Sequence, residues 1–60
     1  MILKEALQIC SYPLWVNHSR FDSADRYTSK DEAMESEKYQ LSCIVNYITS
    51  DAENEITIEI

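Results

Sequence analysis

Ser29-Lys30-Asp31-Glu32-Ala33-Met34-Glu35-Ser36-Glu37-Lys38-Tyr39-Gln40-Leu41-Ser42-Cys43-Ile44-Val45-Asn46-Tyr47-Ile48 is the stretch that sets the architecture. Ser29-Lys30-Asp31-Glu32 has the form of a capping box: Ser29 can accept from the backbone N–H of Glu32, and Glu32 can reach back to the N–H of Ser29. Asp31 and Glu32 suit the positive end of a helix dipole. At ~100° per residue, Ala33, Met34, Leu41, Ile44, Val45 and Ile48 form one apolar stripe. Tyr39, Cys43 and Tyr47, each four apart, fall on nearly the opposite side. The pattern predicts one long amphipathic helix over residues 30–50 with two faces to cover.

Outward from that segment, Ile2, Leu3, Ala6, Leu7 and Cys10 recur at helical spacing, which predicts a short helix over residues 2–10. Pro13 holds Tyr12 extended and stops that helix. Leu14-Trp15-Val16 reads as the start of a strand running towards Phe21. Asp22-Ser23-Ala24-Asp25 is turn chemistry, and Arg26-Tyr27-Thr28 returns as a second strand. After a turn at residues 50–54, Glu55-Ile56-Thr57-Ile58-Glu59-Ile60 alternates as a half-buried strand does. The expected fold is α+β in the order α-β-β-α-β, with helices packed on a small sheet.

Sixty residues form a single small acidic domain, residues 1–60, near the lower size limit for independent folding. A chain of this size buries only about 60% of the surface its unfolded form exposes. Hydrophobic residues make up 45% of it, too many for intrinsic disorder. Self-association would add burial. Met1-Ile2-Leu3-Lys4-Glu5 does not resemble a signal peptide, and no 18-residue apolar run is present. A cytoplasmic setting is therefore expected, a host cytoplasm if the protein is viral, with Cys10 and Cys43 reduced.

Eleven Asp and Glu against five Lys and Arg give a net charge of −6. Such a surface repels nucleic-acid phosphates and anionic lipid, so direct binding to either is not expected. It favours encounter with a basic protein surface. The same charge also serves solubility, and a carboxylate cluster on a helix is most simply a solvated face. Glycine is absent, which removes the phosphate-binding loops and the nucleophile elbow in their usual forms.

No catalytic residue, metal ligand set or cofactor motif stands out. Ser19, Cys10 and Cys43 are nucleophiles, yet none has a sequence context that places both a base and an oxyanion donor beside it, and His18 is the sole histidine. Cys10, Cys43, His18 and a carboxylate could in principle hold zinc, but no chelate spacing supports it. The functional expectation is a non-enzymatic protein that binds and inhibits a larger protein, as viral anti-host and anti-defence inhibitors do. Masking of a basic nucleic-acid-binding surface by DNA mimicry is one form of this. The expected contact is Tyr39, Cys43 and Tyr47, rimmed by Glu32, Glu35 and Glu37. The alternative is a homodimeric accessory subunit, joined through the tyrosine face or through Ile56, Ile58 and Ile60 of the last strand.

Overall fold

The computed structural model describes residues 1–50 and 55–60. Its elements are α1 (Leu3–Ile9), β1 (Leu14–His18), a 3-10 turn (Ser19–Phe21), β2 (Ser23–Tyr27), α2 (Lys30–Ser36), β3 (Tyr47–Ser50) and β4 (Ile56–Glu59). The α+β class matches the sequence expectation. Most of the turn expected at residues 50–54 lies outside the described residues.

In α1 the helical spacing buries Leu3, Ala6 and Leu7. Glu5 accepts from the Ile2 backbone N–H at 2.9 Å, satisfying one of the free donors at the helix start. The chain then turns through a cis Tyr12–Pro13 peptide bond. The Tyr12 hydroxyl donates to the Leu7 carbonyl at 2.6 Å, tying the turn to the helix it follows.

The sheet has the order β2-β1-β4-β3. β1 and β2 are antiparallel, with Leu14 opposite Tyr27 and Val16 opposite Asp25. β1 and β4 are parallel, with Leu14 opposite Ile56 and Val16 opposite Ile58. β3 and β4 are antiparallel, with Ile48 opposite Ile58. Strand side chains alternate between faces, so these registers gather Leu14, Val16, Tyr27, Ile56 and Ile58 on one side. The core forms there: Leu3, Ala6 and Leu7 of α1 and Ala33 of α2 join Leu14, Val16, Tyr27 and Ile58. Complete burial of side chains such as Leu7 and Ile58 contributes about 1.5–3 kcal/mol each. Trp15, Asn17, Arg26, Thr57 and Glu59 take the opposite side, where no helix packs among the described residues.

The long helix expected over residues 30–50 is not formed. Its start is as read, for Ser29 Oγ accepts from the Glu32 N–H at 3.2 Å, although Glu32 accepts from Thr28 rather than from Ser29. The helix stops at Ser36. Consecutive turns follow, in which Gln40 N–H donates to the Glu37 carbonyl at 2.8 Å and Cys43 N–H to the Gln40 carbonyl at 3.0 Å. Residues 41–45 then run beside the N-terminus: Leu3 donates to Cys43, Lys4 to Leu41 and Val45 to Met1. Tyr47-Ile48-Thr49 are β-branched and aromatic, and the edge of β4 takes them in preference to more helix, while Ile44 bridges Ile2. Met34, Leu41 and Val45 still pack against the core, whereas Ile44 and Ile48 stay exposed.

The turn between β1 and β2 also moves. It is built from Ser19–Phe21 and Asp22, and Ser23, Ala24 and Asp25 belong to β2. In a chain without glycine, Asp22 supplies the left-handed residue, at φ 51° and ψ 47°. Aspartate tolerates that region better than most residues. No described helix is long and apolar enough to cross a membrane.

Candidate functional site

The alternation that buries Leu14 and Val16 points His18 to the helix-bearing side of β1. The antiparallel register then sets Asp25 of β2 diagonally beside it, since His18 pairs with Ser23. Glu37, the residue that closes α2, enters from above. His18 Nε2 and Glu37 Oε1 are 2.7 Å apart. The Tyr27 hydroxyl donates to Glu37 Oε2 at 2.5 Å. Ser36 Oγ lies 2.9 Å from the same hydroxyl. Tyr27 has a single proton, and the carboxylate is the stronger acceptor, so Ser36 donates to the Tyr27 oxygen.

Glu37 is only 2% exposed. A buried carboxylate is tolerated when each oxygen receives a hydrogen bond, and His18 and Tyr27 supply one each. Burial, together with donation to Glu37, pushes the Tyr27 hydroxyl up to about 12 from 10.0. Burial also raises the Cys10 thiol and, with Cys10 nearby, the Tyr12 hydroxyl. Cys10 and Cys43 are both free thiols.

Next to this network lies an open groove of about 480 Å³. Its walls are the Ser19–Phe21 turn, the segment from Gln40 to Asn46, and Ile60. Ser19 anchors the floor by donating its hydroxyl to the Ile60 carbonyl at 2.9 Å. Phe21 is 72% exposed and Ile44 66%, large apolar side chains left in solvent on the two walls. Cys43 also lines the groove.

The residues expected to bind a partner do not form one face. Tyr39 is 83% exposed on the turns after α2, with the Lys38 ammonium 5.4 Å from its ring centre. Cys43 lies in the groove wall. Tyr47 is on β3, where its hydroxyl donates to Glu59 across the strand pair at 2.9 Å. That bond retains the proton and raises the Tyr47 hydroxyl. The helical face proposed to unite these three does not exist. Glu32 and Glu35 are exposed as expected, and Glu35 pairs with Lys38 at 3.2 Å. Glu37 is a buried network member, not a rim residue.

The last strand also needs correction. β4 is hydrogen-bonded on both sides, to β1 and β3, so Ile56, Ile58 and Ile60 offer no open edge. Ile58 is fully buried. Among the described residues, the outer strands of the sheet are β2 and β3. Sequence reasoning missed Phe21 and the His18–Glu37–Tyr27 network. The alternation Leu14, Val16, His18 opposite Tyr27, Asp25, Ser23 was the available signal, but it needed the hairpin register.

The site is thus a groove of mixed lining, with Phe21 and Ile44 on its walls and Arg20 among its polar residues, beside a buried polar network on an α+β domain. Compared with known proteins, the chain matches no family model, no curated protein and no solved structure.

Proposed function

We propose that this protein is a non-enzymatic binding module that docks on a larger protein and inhibits it by covering a working surface. The groove carries the reading. Phe21 and Ile44 flank it as exposed apolar anchors, the kind of residue pair around which interface hot spots form when a partner excludes water. A net charge of −6, with Glu32 and Glu35 on an exposed helix, selects a partner with a basic surface and speeds the encounter. An anti-host or anti-defence role in a cytoplasm is the setting this chemistry suits.

Affinity capture should compare the wild type with a Phe21→Asp/Ile44→Asp variant whose folding has been checked by circular dichroism. A partner retained by the wild type and lost by the variant supports the reading. Its association rate should fall steeply as salt rises. Equal recovery by both proteins would remove the groove from the interface.

A second reading is a homodimer. It moves from β4 to β3, where Tyr47-Ile48-Thr49-Ser50 presents an exposed edge strand without a charged side chain.

A further inference from the structure

His18 Nδ1 is sealed from solvent and has no hydrogen-bond partner. Its other nitrogen faces Glu37 Oε1 at 2.7 Å. A carboxylate accepts, so Nε2 carries a ring proton, and in the tautomer protonated there Nδ1 is an electron-pair donor. Its lone pair looks across 3.9 Å to Asp25 Oδ2, a second electron-pair donor. A nitrogen and a carboxylate oxygen at this separation are placed to share a cation. Among the described residues, His18, Asp25 and Glu37 are the set whose ligand atoms all fall within 4.8 Å of one another. Neither cysteine belongs to it.

We infer that His18 Nδ1 and Asp25 Oδ2 form a binding site for a divalent transition-metal ion of the zinc type, with Glu37 orienting the imidazole. This goes beyond the docking function and runs against the sequence expectation of no metal. Zn–N and Zn–O bonds are about 2.0–2.2 Å, so an ion can span the gap between the two donors. Closing 3.9 Å to the ~3.4 Å of a tetrahedral pair takes a small rotation of Asp25. Its side chain is 60% exposed and free to make it.

The Glu37–His18 contact has the form of a carboxylate–histidine–metal relay. The carboxylate fixes the tautomer and makes the ligating nitrogen more basic. Tyr27 in turn holds Glu37. A cleft of about 250 Å³ opens beside the three residues, bordered by Ser23, Ser36 and Gln40, and gives room for waters to complete the coordination. With two protein ligands the ion is exchangeable, and its borderline softness matches one nitrogen and one oxygen donor.

Zinc sulfate titrated into the full chain, followed by two-bond 1H–15N spectra of the histidine ring, tests the site directly. The expected result is a saturable shift of the His18 Nδ1 resonance at one equivalent, while Nε2 keeps its proton. Asp25→Asn removes a ligand from an exposed position and should fold normally while binding at least ~10-fold more weakly. Because the readout is the His18 ring itself, zinc captured by Cys10 or Cys43 does not register as success. Three outcomes would overturn the site: no change at His18 up to millimolar zinc, equal affinity in Asp25→Asn, or an Nδ1 already protonated at pH 7.5. The last would show that a proton occupies the gap.

Discussion

His18 and Glu37 are joined at 2.7 Å although 19 residues separate them, one at the end of a strand and the other closing a helix. The contact locks α2 to the β1–β2 hairpin through polar groups, beside a core that is otherwise apolar. Its energetic weight lies less in the bonds made than in what is stranded when one is lost.

Tyr27→Phe isolates that weight. The ring and its packing remain, but Glu37 Oε2 loses its donor while staying buried. Chemical denaturation should show a loss of about 1–3 kcal/mol. A loss no larger than that of an exposed substitution would mean that Glu37 recruits water and that the network contributes little.

Alkaline pH should act through the same hydroxyl. Tyr27 ionises near 10.0 when unfolded and about 12 when folded. A raised folded value means that the fold favours the neutral form. Its stabilisation is fully present below pH 10 and is lost as pH rises towards 12, an effect of roughly 2–3 kcal/mol. Tyrosinate absorbance should show one of the four tyrosines titrating last, together with loss of the fold. Tyr27→Phe should abolish this part of the pH dependence.

Asp22 makes the left-handed step that opens β2. Asp22→Ala should cost about 1 kcal/mol, because a Cβ without a compensating polar group is unfavourable in that region. Asp22→Gly should be close to neutral, since relief of strain offsets the greater freedom of glycine in the unfolded chain. Thermal melts of the two variants should therefore separate, with alanine lower.

The β3 edge predicts concentration-dependent association. Light scattering should detect a dimer of the wild type at high protein concentration, and Thr49→Lys should shift it to monomer by placing a charge on the exposed strand. A wild type that remains monomeric at millimolar concentration would exclude strand pairing through β3.

Local signals are legible in the sequence. Ser29 caps α2, α1 buries its helical stripe, and residues 56–59 alternate as a strand. The long helix failed because a 3.6-residue periodicity also fits a short helix followed by turns and a strand, whose apolar residues reach the core by another path. Met34, Leu41 and Val45 satisfy either arrangement. Without glycine or proline after Ser36, nothing local marked the break. It is imposed by tertiary contacts, with Ser36 and Glu37 drawn to Tyr27 and His18. For the same reason the candidate site was largely illegible. His18, Asp25 and Glu37 converge only through strand register and the position of that break, and Phe21 gains its place from a turn three residues earlier than expected.

Because β4 stands between β1 and β3, the sheet cannot grow in the order in which a ribosome delivers its strands. The first hairpin and β3 have no common neighbour until residues 56–59 have left the exit tunnel. Before that moment the edge of β1 and the flank of β3 both lack the strand that pairs with them. The two halves of the sheet are thus joined by the strand that comes after both of them in the chain.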